Sequence, residues 1–113
     1  MPASDQAKAP AYKVKRVESV IRGSDVQARL FTLAPGEAIP WHYHRQSTDH
    51  YFVLEGVLSI STREPDVMRM KFPVGSSYRI APGTPHLIAN DGDSDCRFLL
   101  LRGVGTYDWI AAD

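Results

Sequence analysis

GEAIPWHYHRQSTDHYFVLEG, from Gly36 to Gly56, is the stretch whose reading decides the fold. Its centre, PWHYH, reads as part of an extended strand over 38–44, and on a strand His42 and His44 project from one face while Trp41 and Tyr43 project from the other. Two imidazoles therefore converge on one point. DHYFVLE at 49–55 reads as the next strand, rich in aromatic and β-branched residues, and Gly56 ends it.

The same grammar extends in both directions. Further strands are expected at 12–17, 26–33, 57–62, 67–72, 76–80, 86–90 and 96–103, punctuated by APGE at 34–37, REPD at 63–66, APGTP at 81–85 and NDGDSD at 90–95. No window shows apolar residues at helical spacing between caps. Many short strands joined by Gly, Pro, Asp and Asn turns imply an all-β sandwich or barrel of antiparallel sheets. The segment 1–11, MPASDQAKAPA, reads as a flexible arm before a single domain at 12–113, and the closing YDWIAAD is expected to cap an open end of the barrel.

Composition narrows the function. The chain has 113 residues, 43% of them hydrophobic, which suits one globular domain, and 13 basic side chains balance 13 acidic ones. That balance offers no attraction to phosphate backbones or anionic lipid, so neither nucleic acid nor a membrane surface is an expected partner. There is no signal-peptide pattern and no apolar stretch of membrane-spanning length, and Cys96 is the only cysteine. A cytoplasmic protein is expected, with Cys96 as a small buried hydrophobe. Phosphate loops and Gly-x-Ser-x-Gly elbows are absent.

His86 follows the rigid APGTP turn, from which it can reach the point where His42 and His44 converge. Neutral imidazoles suit Fe, Mn, Ni or Zn, and a carboxylate nearby would complete a four-ligand set.

Taken together, GEAIPWHYHRQSTDHYFVLEG and GSSYRIAPGTPHLIAN, Gly75 to Asn90, resemble the two signature motifs of the cupins, Gly-x5-His-x-His-x3-4-Glu-x6-Gly and Gly-x5-Pro-x-Gly-x2-His-x3-Asn. Gly36, His42, His44, Gly56, Gly75, Gly83, His86 and Asn90 all fall in place. The resemblance implies a double-stranded β-helix, the cupin jelly-roll barrel, with a divalent transition metal held by His42, His44, Asp49 and His86. Two positions depart from the pattern. Ala81 stands where the family has proline, and Asp49 stands where it usually has the longer glutamate. Asp49 therefore has three options: a direct ligand, a water-bridged contact, or a bystander to a three-histidine site in which it acts as a general base. His50 lies on the opposite face of its strand unless a bulge re-aims it.

Alternation places other residues around the site. Tyr51 shares a face with Asp49, and these two are the candidate catalytic residues. Arg29, Tyr78, Ile88, Phe98, Leu100 and Arg102 are candidate lining residues, in which an inward Arg29 or Arg102 would bind a substrate carboxylate. The resemblance implies a metal-dependent enzyme of dioxygenase, isomerase or lyase type acting on a small organic molecule. The alternatives are a non-catalytic binding or sensing barrel and a metal-free isomerase. Open sheet edges lead us to expect a homodimer.

Overall fold

The computed structural model describes residues 12–112. The arm expected at 1–11 lies outside the described residues. Ten strands follow in order: β1 Arg16–Arg22, β2 Val26–Leu33, β3 Ala38–Tyr43, β4 Thr48–Glu55, β5 Leu58–Arg63, β6 Val67–Phe72, β7 Ser77–Ile80, β8 His86–Ala89, β9 Cys96–Gly103 and β10 Ile110–Ala111. They form two antiparallel sheets, one in the order β1, β2, β9, β4, β7 and the other β10, β3, β8, β5, β6. Non-sequential neighbours in both sheets make this a double-stranded β-helix.

The inner faces of the sheets meet in one core of Phe31, Leu33, Ile39, Tyr51, Val53, Leu58, Ile60, Ile80, Ile88, Cys96, Phe98 and Leu100. Period-two alternation supplies it: in β9, Cys96, Phe98, Leu100 and Arg102 are buried, whereas Arg97, Leu99 and Leu101 are only partly so. Phe31 stacks on Phe98 with ring centroids 5.2 Å apart, as expected for residues directly opposite in the β2–β9 register.

The first strand begins at Arg16 rather than at residue 12, a correction to the sequence reading. Its register is set by pairing with β2, from Arg16 opposite Thr32 to Arg22 opposite Gln27. Tyr12, upstream, stacks on Trp109 instead, and Val14 packs against the core. The closing segment supplies a tenth strand, β10, paired with the end of β3.

Two local features position the site. Between Ile39 and His42 the β3–β8 register slips by one residue, a bulge at Pro40 and Trp41, where proline has no N–H to contribute to a ladder. The bulge lets Ile39 stay in the core while His42 also turns inward. At Gly56 the backbone has φ 76°, and a Cβ there would sit 2.5 Å from the Asp95 carbonyl oxygen. Only glycine fits this close crossing of the β4–β5 turn over the start of β9.

Candidate metal centre

His42, His44, Asp49 and His86 come together in the barrel interior, with one donor atom of each within 4.8 Å of the others. All four are essentially inaccessible. His42 and His86 lie opposite each other on β3 and β8 of one sheet, His44 lies just past the end of β3, and Asp49 comes from β4 of the other. The cluster thus bridges the two layers.

Each imidazole is oriented through Nδ1. That atom donates to the Pro40 carbonyl in His42 (2.7 Å), to the Asp108 carbonyl in His44 (2.5 Å) and to the Thr84 carbonyl in His86 (2.8 Å). A carbonyl can only accept, so the proton of a neutral ring sits on Nδ1 and Nε2 presents a lone pair. The supports are themselves fixed. Asp108 is clamped by Arg45, whose backbone N–H and Nε both reach its carboxylate, and the turn before His86 is tied back by the Gly83 N–H donating to the His44 carbonyl at 2.7 Å. Such outer contacts hold imidazoles in ligating orientation.

Asp49 sits opposite these nitrogens. Its Oδ2 lies 3.1 Å from His44 Nε2 and 3.4 Å from His86 Nε2, and accepts from the Tyr51 hydroxyl at 3.1 Å; its Oδ1 accepts from Arg102 Nε at 2.9 Å. Burial would raise its pKa, but the close approach of His44 and His86 and the Arg102 charge prevail and hold the carboxyl well below the usual range. Burial and the Asp49 charge push the Tyr51 hydroxyl well up, so it stays a donor. For His42, burial and the adjacent His86 lower the pKa to about 3, leaving a neutral ring.

The donor set fits a divalent metal. With Nδ1 committed to carbonyls, the Nε2 atoms of His44 and His86 converge on the Asp49 carboxylate, an arrangement that suits a cation between them. His86 Nε2 is buried with no hydrogen-bond partner. Three imidazole nitrogens and one carboxylate oxygen suit a first-row ion.

The other expected residues divide clearly. His50 faces away from the cluster, paired with Leu101 and Arg79 on the neighbouring strands. Ile88, Phe98 and Leu100 belong to the packed core, and Tyr78 packs on Phe72 at its margin. Arg102 is buried against Asp49, with its guanidinium 4.4 Å above the Tyr107 ring. Arg29 is partly buried and donates twice to Gln27 Oε1.

The closing segment was expected to cap an open end of the barrel, but its contacts with the histidines were not foreseen. Trp109 stacks nearly parallel on His42, with centroids 4.5 Å apart, Tyr107 lies against His44, and Tyr12 stacks outside Trp109. The two aromatic residues Tyr107 and Trp109 close together in the final segment were the available signal.

The cupin domain family matches residues 29–102, and the chain belongs to it. No curated protein sequence matches this one. Among solved structures, an uncharacterized conserved protein with a double-stranded beta-helix domain from Klebsiella pneumoniae subsp. pneumoniae MGH 78578 is 21% identical with a TM-score of 0.74, covering 92% of this chain and 90% of that one. An oxalate decarboxylase variant from Bacillus subtilis is 15% identical at TM-score 0.75, over 88% of this chain and 28% of that one. An oxalate oxidase is 16% identical at TM-score 0.73, over 96% and 61%. This chain therefore spans less than a third of the decarboxylase chain and about three fifths of the oxidase chain. These likenesses concern the fold.

Proposed function

We propose that the chain is a metal-dependent cupin enzyme acting on a small organic molecule, with a divalent transition metal held by His42, His44, His86 and Asp49. The observation that carries it is the set of three Nε2 atoms, oriented by Nδ1 contacts to Pro40, Asp108 and Thr84, gathered around Asp49 with His86 Nε2 unpartnered. Direct ligation by Asp49 is the option this geometry favours: Oδ2 faces the imidazoles, while Oδ1 is already taken by Arg102.

A metal in such a set supplies Lewis acidity or a place for O2 beside a chelating substrate. The chain's own residues do the rest. Arg102 and Tyr51 fix the Asp49 carboxylate from two sides, Tyr51 keeping its proton as donor. Trp109 and Tyr107 cover the cluster and exclude water from it. Oxidoreductase or lyase chemistry is in keeping with the oxalate-converting proteins that share the fold.

Elemental analysis of protein purified without added metal tests the reading, repeated on the His42→Ala/His86→Ala double variant. We expect close to one metal per chain, lost in a variant that keeps its far-UV spectrum. Folded wild-type protein that neither carries metal nor takes it up on reconstitution would overturn it.

The closed cover favours a second reading, a barrel that stores or senses its ligand without turnover. Metal-bound protein that consumes neither O2 nor any small carboxylate offered would point there. We also propose a cytoplasmic homodimer joined through β1, an edge strand that exposes Val20 and Ile21. Ile21→Lys is expected to shift a dimer to monomer in light scattering without altering metal content.

A further inference from the structure

The inner face of β2 carries a cation with no carboxylate opposite it. Arg29 alternates with Phe31 and Leu33, both in the core, so its side chain turns inward. Its guanidinium donates from Nε (3.2 Å) and a terminal nitrogen (2.8 Å) to one neutral acceptor, Gln27 Oε1. Among the described residues it makes no ion pair. Both its donors on that edge are satisfied by an amide, although a guanidinium turned into the protein is normally matched by an anion.

Its neighbour sharpens the imbalance. Arg29 is opposite Leu100 and Arg102 is opposite Gln27 in the β2–β9 register, so the two arginines are diagonal neighbours on one face. Arg102 is already neutralised by Asp49 at 2.9 Å. Burial, and then the Arg102 charge, lower the pKa of Arg29, as expected for a cation short of counter-charge. A charge count over the site gives the same result. Asp49 is cancelled by Arg102, so this pair leaves no net negative charge to meet a divalent ion, and Arg29 adds a further positive charge on the same wall.

Resting on the metal-centre reading above, we propose that the ligand of this site is a small organic anion with two oxygen-bearing groups, one a carboxylate docked on Arg29 and the other directed at the His42, His44 and His86 cluster. Arg29 is the specificity-determining residue and Gln27 the placeholder that the carboxylate displaces. Access is from the mouth. A crevice lined by Asp25, Gln27, Arg102, Gly105 and Tyr107 holds only about 10 Å³, room for one water. The ligand therefore enters when the covering segment with Tyr107 and Trp109 shifts outward.

Malonate and its neutral diamide, malonamide, separate charge from shape. Each is titrated by calorimetry into zinc-loaded protein, wild type, Arg29→Gln and Arg29→Lys, with zinc content and far-UV spectra recorded for all three. We expect malonate to bind wild type and malonamide to bind at least tenfold more weakly. Arg29→Gln should weaken malonate about tenfold or more, the usual scale for one charged hydrogen-bonding partner, with zinc content unchanged, and Arg29→Lys should restore part of the affinity. Zinc-loaded wild type that ignores malonate, or an Arg29→Gln protein that binds it undiminished, overturns the inference and leaves the metal centre standing. Folded protein that takes up no zinc overturns the metal centre; Arg29-dependent binding of malonate to that protein would still support the anion site, and its absence would overturn it.

Discussion

Asp49 holds three contacts with two oxygens in a place that water does not reach. Arg102 takes Oδ1, while Tyr51 and the imidazoles share Oδ2. Removing either charge of a buried pair leaves the other uncompensated, which typically costs about 3–5 kcal/mol. In metal-free protein, Asp49→Asn and Arg102→Met should each destabilise by about 3 kcal/mol in urea unfolding, and the double variant should lose at least 1 kcal/mol less than their sum. Additive losses would show that the two groups are not coupled. Cys96 offers a test away from the site. Burial pushes its thiol up to about 11, and its side chain is inaccessible in the core. A group whose folded pKa is raised contributes stability that is complete below its unfolded pKa, near 9, and is lost as pH rises toward 11. Wild type should therefore lose about 2–3 kcal/mol across that window beyond what Cys96→Ala loses. Parallel pH profiles for the two proteins would refute the assignment. Below pH 9, alkylation of Cys96 should proceed only at the rate of unfolding.

At the scale of elements, the strands were largely legible, and the segments joining them to the site were not. Strands β2 to β9 fall where β-branched runs and Gly, Pro and Asp breakers place them, because such local signals suffice when each strand has one buried face. The bulge at Pro40 is different. Simple alternation from Ile39 puts His42 on the outer face, and only the register slip against β8 returns it inward. The tail was read as a cap from position alone. What makes it one is tertiary: β10 pairs with His42 and Tyr43, the Asp108 carbonyl fixes His44, and Trp109 lies on His42. This segment pairs with β3 through only two residues and is otherwise held by side-chain contacts, so it should open more readily than the sheets. Trp109→Ala removes the stacked ring without touching a metal donor. We expect zinc release to a chelator to quicken at least tenfold in stopped-flow, while equilibrium zinc content stays near that of wild type. Equal release rates would mean that exchange does not pass through this cover.

Over the whole molecule, the site is where the two sheets are joined by polar rather than apolar contact. Below it, Phe31, Leu100 and Ile88 close the gap with apolar packing; at the mouth, His42 and His86 of one sheet face Asp49 and Arg102 of the other. The sequence motif revealed which residues share this end, since their spacing survives on the page. It did not reveal that Asp49, although shorter than glutamate, is brought within reach of the histidines, because that depends on the separation of the sheets. It also did not reveal the Arg29 imbalance, which is visible only once Arg102 is seen to be spent on Asp49. A metal in this place would therefore act on global stability as well as chemistry, tying the histidines of one layer to Asp49 of the other. A ligand that binds only the folded state at about a thousand times its dissociation constant adds about 4 kcal/mol. For a domain of this length that corresponds to roughly 15 °C in melting temperature. Zinc at saturation should raise the calorimetric midpoint of chelator-stripped wild type by about that amount, and should leave the His42→Ala/His86→Ala protein unmoved. A rise of equal size in that variant would place the stabilising ion elsewhere on the molecule. No rise in wild type, with zinc shown to be bound, would mean that the ion binds the unfolded chain as well as the folded one and does not depend on the assembled cluster.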